Sequence, residues 1–124
     1  MNKMTVKEFY KLLTNTTIDN SIVERVEKVY GKIESTEVKK ILSYKFEDYF
    51  LESDDFLRAL SLDEILDAKD SLHVDFPAKR IIPLFDVCDN DFVVYHLDKN
   101  VWSMMNITDL SIFLETTDVL SLLK

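Results

Sequence analysis

The stretch from Arg80 to Ile107 constrains the fold most, because it is the most apolar and most β-like part of the sequence. Its pattern predicts three strands joined by tight polar turns at Asp89-Asn90 and Asp98–Asn100. The middle strand, Phe92–Leu97, is apolar on both faces, which predicts a central strand that is covered on both sides. Pro83 cannot donate a ladder hydrogen bond, so it predicts an edge, a bulge or a strand end in the first strand.

Three amphipathic helices are predicted before this sheet. Thr5 and Glu8 have capping-box spacing, and Gly31, the only glycine, stands where a helix commonly ends in a left-handed residue. The predicted helices are Thr5–Leu13, Ser21–Tyr30 with Asp19 or Asn20 as its cap, and a third that begins at Ser35 or Thr36 and ends near Lys45.

The segment between the third helix and the predicted sheet allows two interpretations. Its aromatic residues and its polar Ser53-Asp54-Asp55 break favour a β-hairpin, with strands Asp48–Glu52 and Phe56–Leu60. Its Leu, Ala and Glu content would also suit a continuous helix. We favour the hairpin, followed by a short helix over Leu62–Lys69 that Ser61 caps and by a loop over Asp70–Ala78.

The C-terminal residues from Leu110 to Leu123 are predicted to be helical, either as one helix or with a break at Thr116-Thr117-Asp118. The 124 residues then form a single α+β domain, 1–124. Its N-terminal helices pack on one antiparallel, meander-like sheet that has an inserted short helix and a C-terminal helical tail.

Charge is distributed unevenly along the chain, whose formal net charge is -8. Residues 1–46 carry nine basic against six acidic residues, whereas residues 47–70 carry two against nine. An excess of carboxylates argues against direct binding of nucleic acid, which needs clustered Lys and Arg. The acidic block either is a solvated face or attracts a basic protein partner.

The compartment is predicted from what the sequence lacks. A lone cysteine, Cys88, fits a reducing environment. The N-terminus has no signal-peptide pattern, and no run of about 18 apolar residues could span a bilayer. We therefore expect a cytoplasmic protein with no membrane partner.

Catalytic and cofactor signatures are not found in the sequence. One glycine cannot build a phosphate-binding loop, and Cys88, His73 and His96 lack zinc-ligand spacing. The carboxylates at Asp86, Asp89 and Asp91 suggest calcium but depart from the EF-hand pattern, so a turn bonded to its own backbone is favoured. His96 is predicted to be a packed histidine. We expect no enzyme activity, no metal and no cofactor.

Trp102 is the aromatic residue that we expect to be partly exposed, because it follows the polar Asp98–Asn100 turn. Tryptophan is enriched where proteins bind one another. It therefore joins the acidic residues as a candidate contact.

Several short motifs in the second half of the chain resemble the SUKH superfamily of SMI1/KNR4-like proteins. The motifs are L-S-L-D-E-I-L at Leu60–Leu66, D-F-P at Asp75–Pro77, I-P-L-F-D at Ile82–Asp86, D-N-D-F-V-V-Y at Asp89–Tyr95, then Trp102 and Asn106-Ile107. The chain resembles a divergent member, since many members have Gly-Asp where it has Asn90-Asp91.

This resemblance implies a non-enzymatic protein-binding fold. Bacterial members are immunity proteins that neutralise a toxin domain, often a nuclease or deaminase, while fungal members are regulators. We therefore expect an immunity protein that binds a basic toxin domain, and as the alternative a regulatory or scaffolding module with another protein partner. The sequence leaves the oligomeric state open. The candidate contact residues are Asp54, Asp55, Asp86, Asp89, Asp91 and Trp102.

Overall fold

The computed structural model describes the backbone of residues 2–44, 49–52 and 57–123, with side chains in 5–44, 57–119, 121 and 122. Seven strands form one sheet in sequence order. The strands are β1 (Asn2–Thr5), β2 (Tyr49–Glu52), β3 (Leu57–Ala59), β4 (Ile81–Cys88), β5 (Asp91–His96), β6 (Val101–Asn106) and β7 (Ile112–Thr116). The helices are α1 (Val6–Asn15), α2 (Asn20–Tyr30), α3 (Thr36–Tyr44), α4 (Leu62–Leu66), α5 (Ala68–Leu72), α6 (Phe76–Lys79) and α7 (Leu120–Leu123).

The predicted α+β class with N-terminal helices is confirmed, and so are the local signals behind it. Thr5 caps α1 in a reciprocal capping box with Glu8, and Asp19 caps α2. Gly31 ends α2 at a φ of 95°, a conformation that favours glycine. The hairpin that we favoured in the middle of the chain is also present, because β2 pairs antiparallel with β3. Its turn lies outside the described residues.

The central strand is confirmed as β5, which pairs with β4 on one side and β6 on the other. Its residues Phe92–Tyr95 are buried on both faces of the sheet. On one face, Phe9 of α1 packs edge-on against Phe85 with ring centroids 5.8 Å apart. The buried side chains join helices and sheet in one hydrophobic cluster. Pro83 lies at one of two register shifts in β4, as its missing N–H predicts.

The expectation of a helix over the C-terminal residues is wrong for most of them. The C-terminal helix is confined to α7, because Ile112–Thr116 instead forms β7 beside β6. A bulge at Leu114, whose φ is 57°, interrupts the alternation that would have revealed a strand. Strands β2 to β7 form the predicted antiparallel meander, and β1 adds a parallel strand beside β2 that was not predicted.

The predicted single helix over Leu62–Lys69 is also divided. Asp67 has the non-helical angles φ −102° and ψ 9°, and separates α4 from α5. The predicted loop over Asp70–Ala78 contains the end of α5 and the start of α6. Asp75 caps α6, and proline is well suited to a first helical turn because no backbone donor is needed there. These short helices lie beside β3 and β4 and form one wall of the site described next.

Candidate functional site

A depression of about 470 Å³ opens where the β4–β5 hairpin turns. Its walls come from the hairpin, from β3, from the end of α5 and from the residue after β6. The lining residues are Arg58, Leu72, Asp86, Cys88, Asp89, Asn90, Phe92 and Ile107.

A second depression along α4 and α5 adjoins the first. It is lined by Asp63, Glu64, Leu66, Asp67, Ser71 and Leu72. The two share Leu72, and Arg58 of the first is bonded to Glu64 of the second. We call the combined surface the acidic groove, because its lining holds five carboxylates against one guanidinium.

The hairpin side of the groove is shaped by three consecutive left-handed residues. Cys88, Asp89 and Asn90 have φ values of 103°, 52° and 67°. Asp86 supports this turn, since its Oδ1 accepts a hydrogen bond from the backbone N–H of Cys88 at 3.1 Å. The backbone N–H of Ile107 donates to the carbonyl of Asn90 at 2.9 Å. These bonds hold Asp89 at the tip of the turn, where its side chain is exposed.

The helical side is fixed by Glu64. Its carboxylate accepts from the backbone N–H of Ser61, while the Ser61 hydroxyl accepts from the N–H of Glu64, so α4 begins in a capping box. Arg58 donates two hydrogen bonds of 2.8 Å to the same carboxylate. These bonds lower the pKa of Glu64 to about 2. Asp86 lies 3.7 Å from the same guanidinium.

The remaining carboxylates give the groove its negative potential. Asp63, Asp67 and Asp89 are exposed, and within the described residues none of them has a Lys or Arg nitrogen within ion-pair distance. Arg58, the one cation in the lining, is already paired with Glu64 and Asp86. The groove therefore attracts a positively charged ligand.

Apolar side chains lie between these charges. Phe92 is buried in the lining, and Leu66, Leu72 and Ile107 are partly buried at its surface. A ligand that covers the groove would bury part of this apolar surface as well as satisfying the carboxylates. Such a mixture of apolar centre and charged rim is typical of surfaces that bind proteins.

Three of the predicted contact residues lie in or beside the groove. Asp86 and Asp89 line it. Asp91 is at its side, where its Oδ1 accepts a 2.9 Å hydrogen bond from Asn106 Nδ2. Asp54 and Asp55 lie outside the described residues.

Two lining carboxylates, those of Asp63 and Asp67, were not predicted as contacts. They belong to the acidic block of residues 47–70. Their spacing of four residues could have signalled a shared surface.

Trp102 contradicts the expectation of partial exposure, since its exposed fraction is 1%. It pairs with Tyr95 in the neighbouring strand, with ring centroids 4.9 Å apart, and its Nε1–H donates to Glu37 of α3. Trp102 therefore faces the N-terminal helices and is part of the core. Its position next to a polar turn in the sequence did not determine which face of the strand it occupies.

The two side chains considered for nucleophilic chemistry are not brought together in the groove. His96 is buried, with its Nε2 2.6 Å from the Ser103 Oγ, and burial lowers the pKa of its imidazole. Cys88 is exposed and lines the groove, whereas His96 is not among the lining residues. Across the described part of the chain, no three His, Cys, Asp or Glu side chains are grouped to hold a metal ion. The groove's chemistry is thus that of a cation-attracting surface.

Comparison with known proteins adds no assignment. No family model matches the sequence, and neither the curated proteins nor the solved structures give a match. Within the described ranges, none of the helices has the length and apolar content needed to cross a bilayer.

Proposed function

We propose that this chain is a non-enzymatic protein-binding module of the cytoplasm, and that it acts as an immunity protein that neutralises a basic toxin domain. The observation that carries the proposal is the acidic groove, where exposed carboxylates surround partly buried apolar side chains. The motifs that resemble the SUKH superfamily support the same reading, because bacterial members of that family are immunity proteins.

Electrostatics explains how such a groove would neutralise a nuclease or a deaminase. A toxin that acts on nucleic acid needs a basic surface to hold phosphates. The carboxylates of Asp63, Asp67 and Asp89 would attract that surface and accelerate encounter. Once docked, the protein would cover the residues that bind the substrate, so inhibition needs no chemical step.

Co-expression with a toxin domain encoded by a neighbouring gene tests the proposal. The expected result is that cells survive the toxin and that both proteins elute as one complex. The variant Asp67→Asn/Asp89→Asn removes two charges from the groove while keeping the shapes of both side chains. We expect this variant to weaken the complex at least tenfold.

A matched control removes two carboxylates from the surface of α2 and the segment that follows it. Glu24 and Glu34 are both exposed, and neither lines the groove. We therefore expect the Glu24→Gln/Glu34→Gln variant to bind like the wild type. The proposal fails for a pair if the toxin stays lethal and no complex elutes. A stable complex with a basic protein that is not toxic would instead support a regulatory or scaffolding role.

A further inference from the structure

Strand β7 ends the sheet and leaves one edge open. Among the described residues, its only neighbouring strand in the sheet is β6. Open edges are ready templates for pairing with another chain, and proteins usually protect them with charged side chains, Pro, a β-bulge or a covering element. Strand β7 has a bulge at Leu114 and one charge, Glu115, both on the C-terminal side of Ile112. Residues 100–123 contain no Lys, no Arg and no Pro.

The side chains along this edge are large and apolar. Leu110, Ile112, Phe113 and Leu114 are all exposed, and they are four of the seven exposed large hydrophobic side chains among the described residues. Leu114 is the most exposed of the seven, at 61%. Four exposed apolar side chains within five consecutive residues mark an interaction surface more often than scattered single residues do.

The backbone of β7 also has hydrogen-bonding groups that point outward. The N–H of Asn106 donates to the carbonyl of Ser111, so this pair faces inward. In an antiparallel pair, the backbone N–H and C=O groups of successive residues point alternately toward and away from the partner strand. Those of Phe113, opposite Met104, therefore point toward β6, whereas those of Ile112 point away from β6. Ile112 therefore offers one donor and one acceptor to an added strand.

Leu114 is held in a conformation that leucine rarely adopts. Its φ of 57° lies in the left-handed region, at a register shift between β6 and β7. The resulting bulge leaves its side chain in solvent, where it makes no contribution to the core. Backbone strain of this kind is concentrated at functional sites.

We propose that β7 is a docking edge that pairs with an extended strand of a protein partner, apolar in its centre and basic at its ends. The charge at both ends of β7 indicates this occupant. Asp109 precedes the strand, Glu115 lies within it and Asp118 follows it. This inference takes its basic partner from the proposed function and adds a second contact surface to it.

The same charges disfavour a second copy of the chain as the occupant. Two antiparallel β7 strands related by a two-fold axis would place Asp109 of one chain near Glu115 and Asp118 of the other, at both ends of the pair. Like charges brought together in this way destabilise an interface.

The docking edge is continuous with the acidic groove. Ile107, which lines the groove, is followed directly by the turn that leads into β7. That turn is tied to the groove because Asn90 Nδ2 donates to Thr108 Oγ1 at 3.2 Å. A single turn therefore joins the two surfaces.

A synthetic peptide that does not depend on any toxin tests the inference. The probe is the blocked peptide KKVTVTVKK, and its binding is followed by fluorescence anisotropy and by amide exchange of the full chain. We expect binding to slow exchange of the Ile112 N–H, while the Phe113 N–H is already protected in the free protein. Ile112→Lys is expected to lower the affinity at least tenfold.

Three controls separate edge pairing from other effects. Leu12→Lys adds the same charge at an exposed apolar position on α1, and we expect it to bind the peptide like the wild type. Leu114→Gly suits the left-handed conformation, so it should fold normally yet bind the peptide more weakly. The peptide KKVPVPVKK loses two backbone donors to proline and cannot form a regular ladder, and EEVTVTVEE reverses the charge, so both should bind at least tenfold more weakly.

The outcomes distinguish this inference from the proposed function. Equal binding of the proline peptide or of the acidic peptide would overturn the docking edge. So would a chain that is dimeric on its own with the Ile112 N–H protected, since a second copy would then occupy the edge. If toxin neutralisation is intact while no strand peptide binds, only the docking edge fails. If peptide binding is intact without neutralisation, only the proposed function fails.

Discussion

Trp102 donates its indole N–H to Glu37 Oε1 at 2.9 Å, and so ties β6 to the first turn of α3. The pKa of Glu37 is raised, mainly by burial and to a smaller extent by the nearby Asp118 carboxylate. The hydrogen bond from Trp102 acts in the opposite direction and lowers this pKa. The pair joins a buried indole to a carboxylate that is costly to ionise.

Glu37→Gln should therefore change how stability depends on pH. A carboxyl whose pKa is raised by folding binds its proton more tightly in the folded chain than in the unfolded chain. The protonated group therefore stabilises the fold at low pH, and this contribution is lost as pH rises through the pKa of the folded state. Glutamine keeps an acceptor for Trp102 but cannot ionise. We expect the variant to gain stability relative to wild type between pH 4 and pH 7, measured by urea unfolding. A constant difference across this range would contradict the assigned cause.

Glu64→Gln should have the opposite pH dependence. Arg58 lowers the pKa of Glu64 to about 2, so the pair stabilises the fold above the ordinary carboxyl pKa and this contribution is lost as pH falls toward 2. Both side chains are partly exposed, so we expect a loss of only about 1 kcal/mol at pH 7.

The matched control for Glu64 is Glu8→Gln in the capping box of α1, where Glu8 is exposed and has no basic partner among the described ion pairs. It should cost less than Glu64→Gln at pH 7. Equal losses at the two positions would show that Arg58 adds nothing to the cap.

Gly31→Ala should destabilise the protein by about 2 kcal/mol, because φ 95° with ψ −179° is a region that nearly only glycine occupies. A Cβ there would also meet the guanidinium of Arg80, which donates to the Tyr30 carbonyl and to Asp98. Thermal unfolding of the variant measures the whole loss. In an Arg80→Ala background the steric part disappears, so the same substitution should cost less, and equal costs in both backgrounds would exclude the predicted clash.

Protonation of His96 should destabilise the wild type in mild acid, and His96→Gln should remove this loss of stability. Burial, with a smaller effect of Lys99, lowers the pKa of His96. The folded chain therefore binds a proton at His96 more weakly than the unfolded chain does. The neutral imidazole contributes its full stability above the ordinary pKa of about 6.5, and this contribution is lost as pH falls through the pKa of the folded state. We expect Tm to fall less between pH 7.5 and pH 5.5 in the variant than in the wild type. His73→Gln, at an exposed position, serves as the control and should behave like the wild type.

Features that depend on neighbouring residues could be predicted from the sequence. The capping pairs Thr5 with Glu8 and Ser61 with Glu64 lie three residues apart, and each satisfies the first turn of a helix by itself. The left-handed Asn100 and the central strand β5 follow from equally local patterns. For the same reason the α+β class could be predicted.

Features that depend on tertiary pairing could not be predicted. Strand β7 takes its ladder bonds from β6, and the bulge at Leu114 disturbs its period. Asp63 and Asp67 line a depression that adjoins the one lined by Asp89, and this adjacency depends on the packing of α4 against β4. Trp102 is buried because of its pairing with Tyr95, which its sequence neighbours do not indicate.

The association rate constant with a toxin domain, measured against salt concentration, shows whether the acidic groove captures a basic partner. If the acidic groove captures a basic partner, kon for the wild type should fall steeply as salt rises. At low salt, Asp67→Asn/Asp89→Asn should associate about tenfold more slowly, and Glu24→Gln/Glu34→Gln at the wild-type rate. Equal rates for wild type and groove variant at every salt concentration would show that the groove carboxylates take no part in capturing the partner.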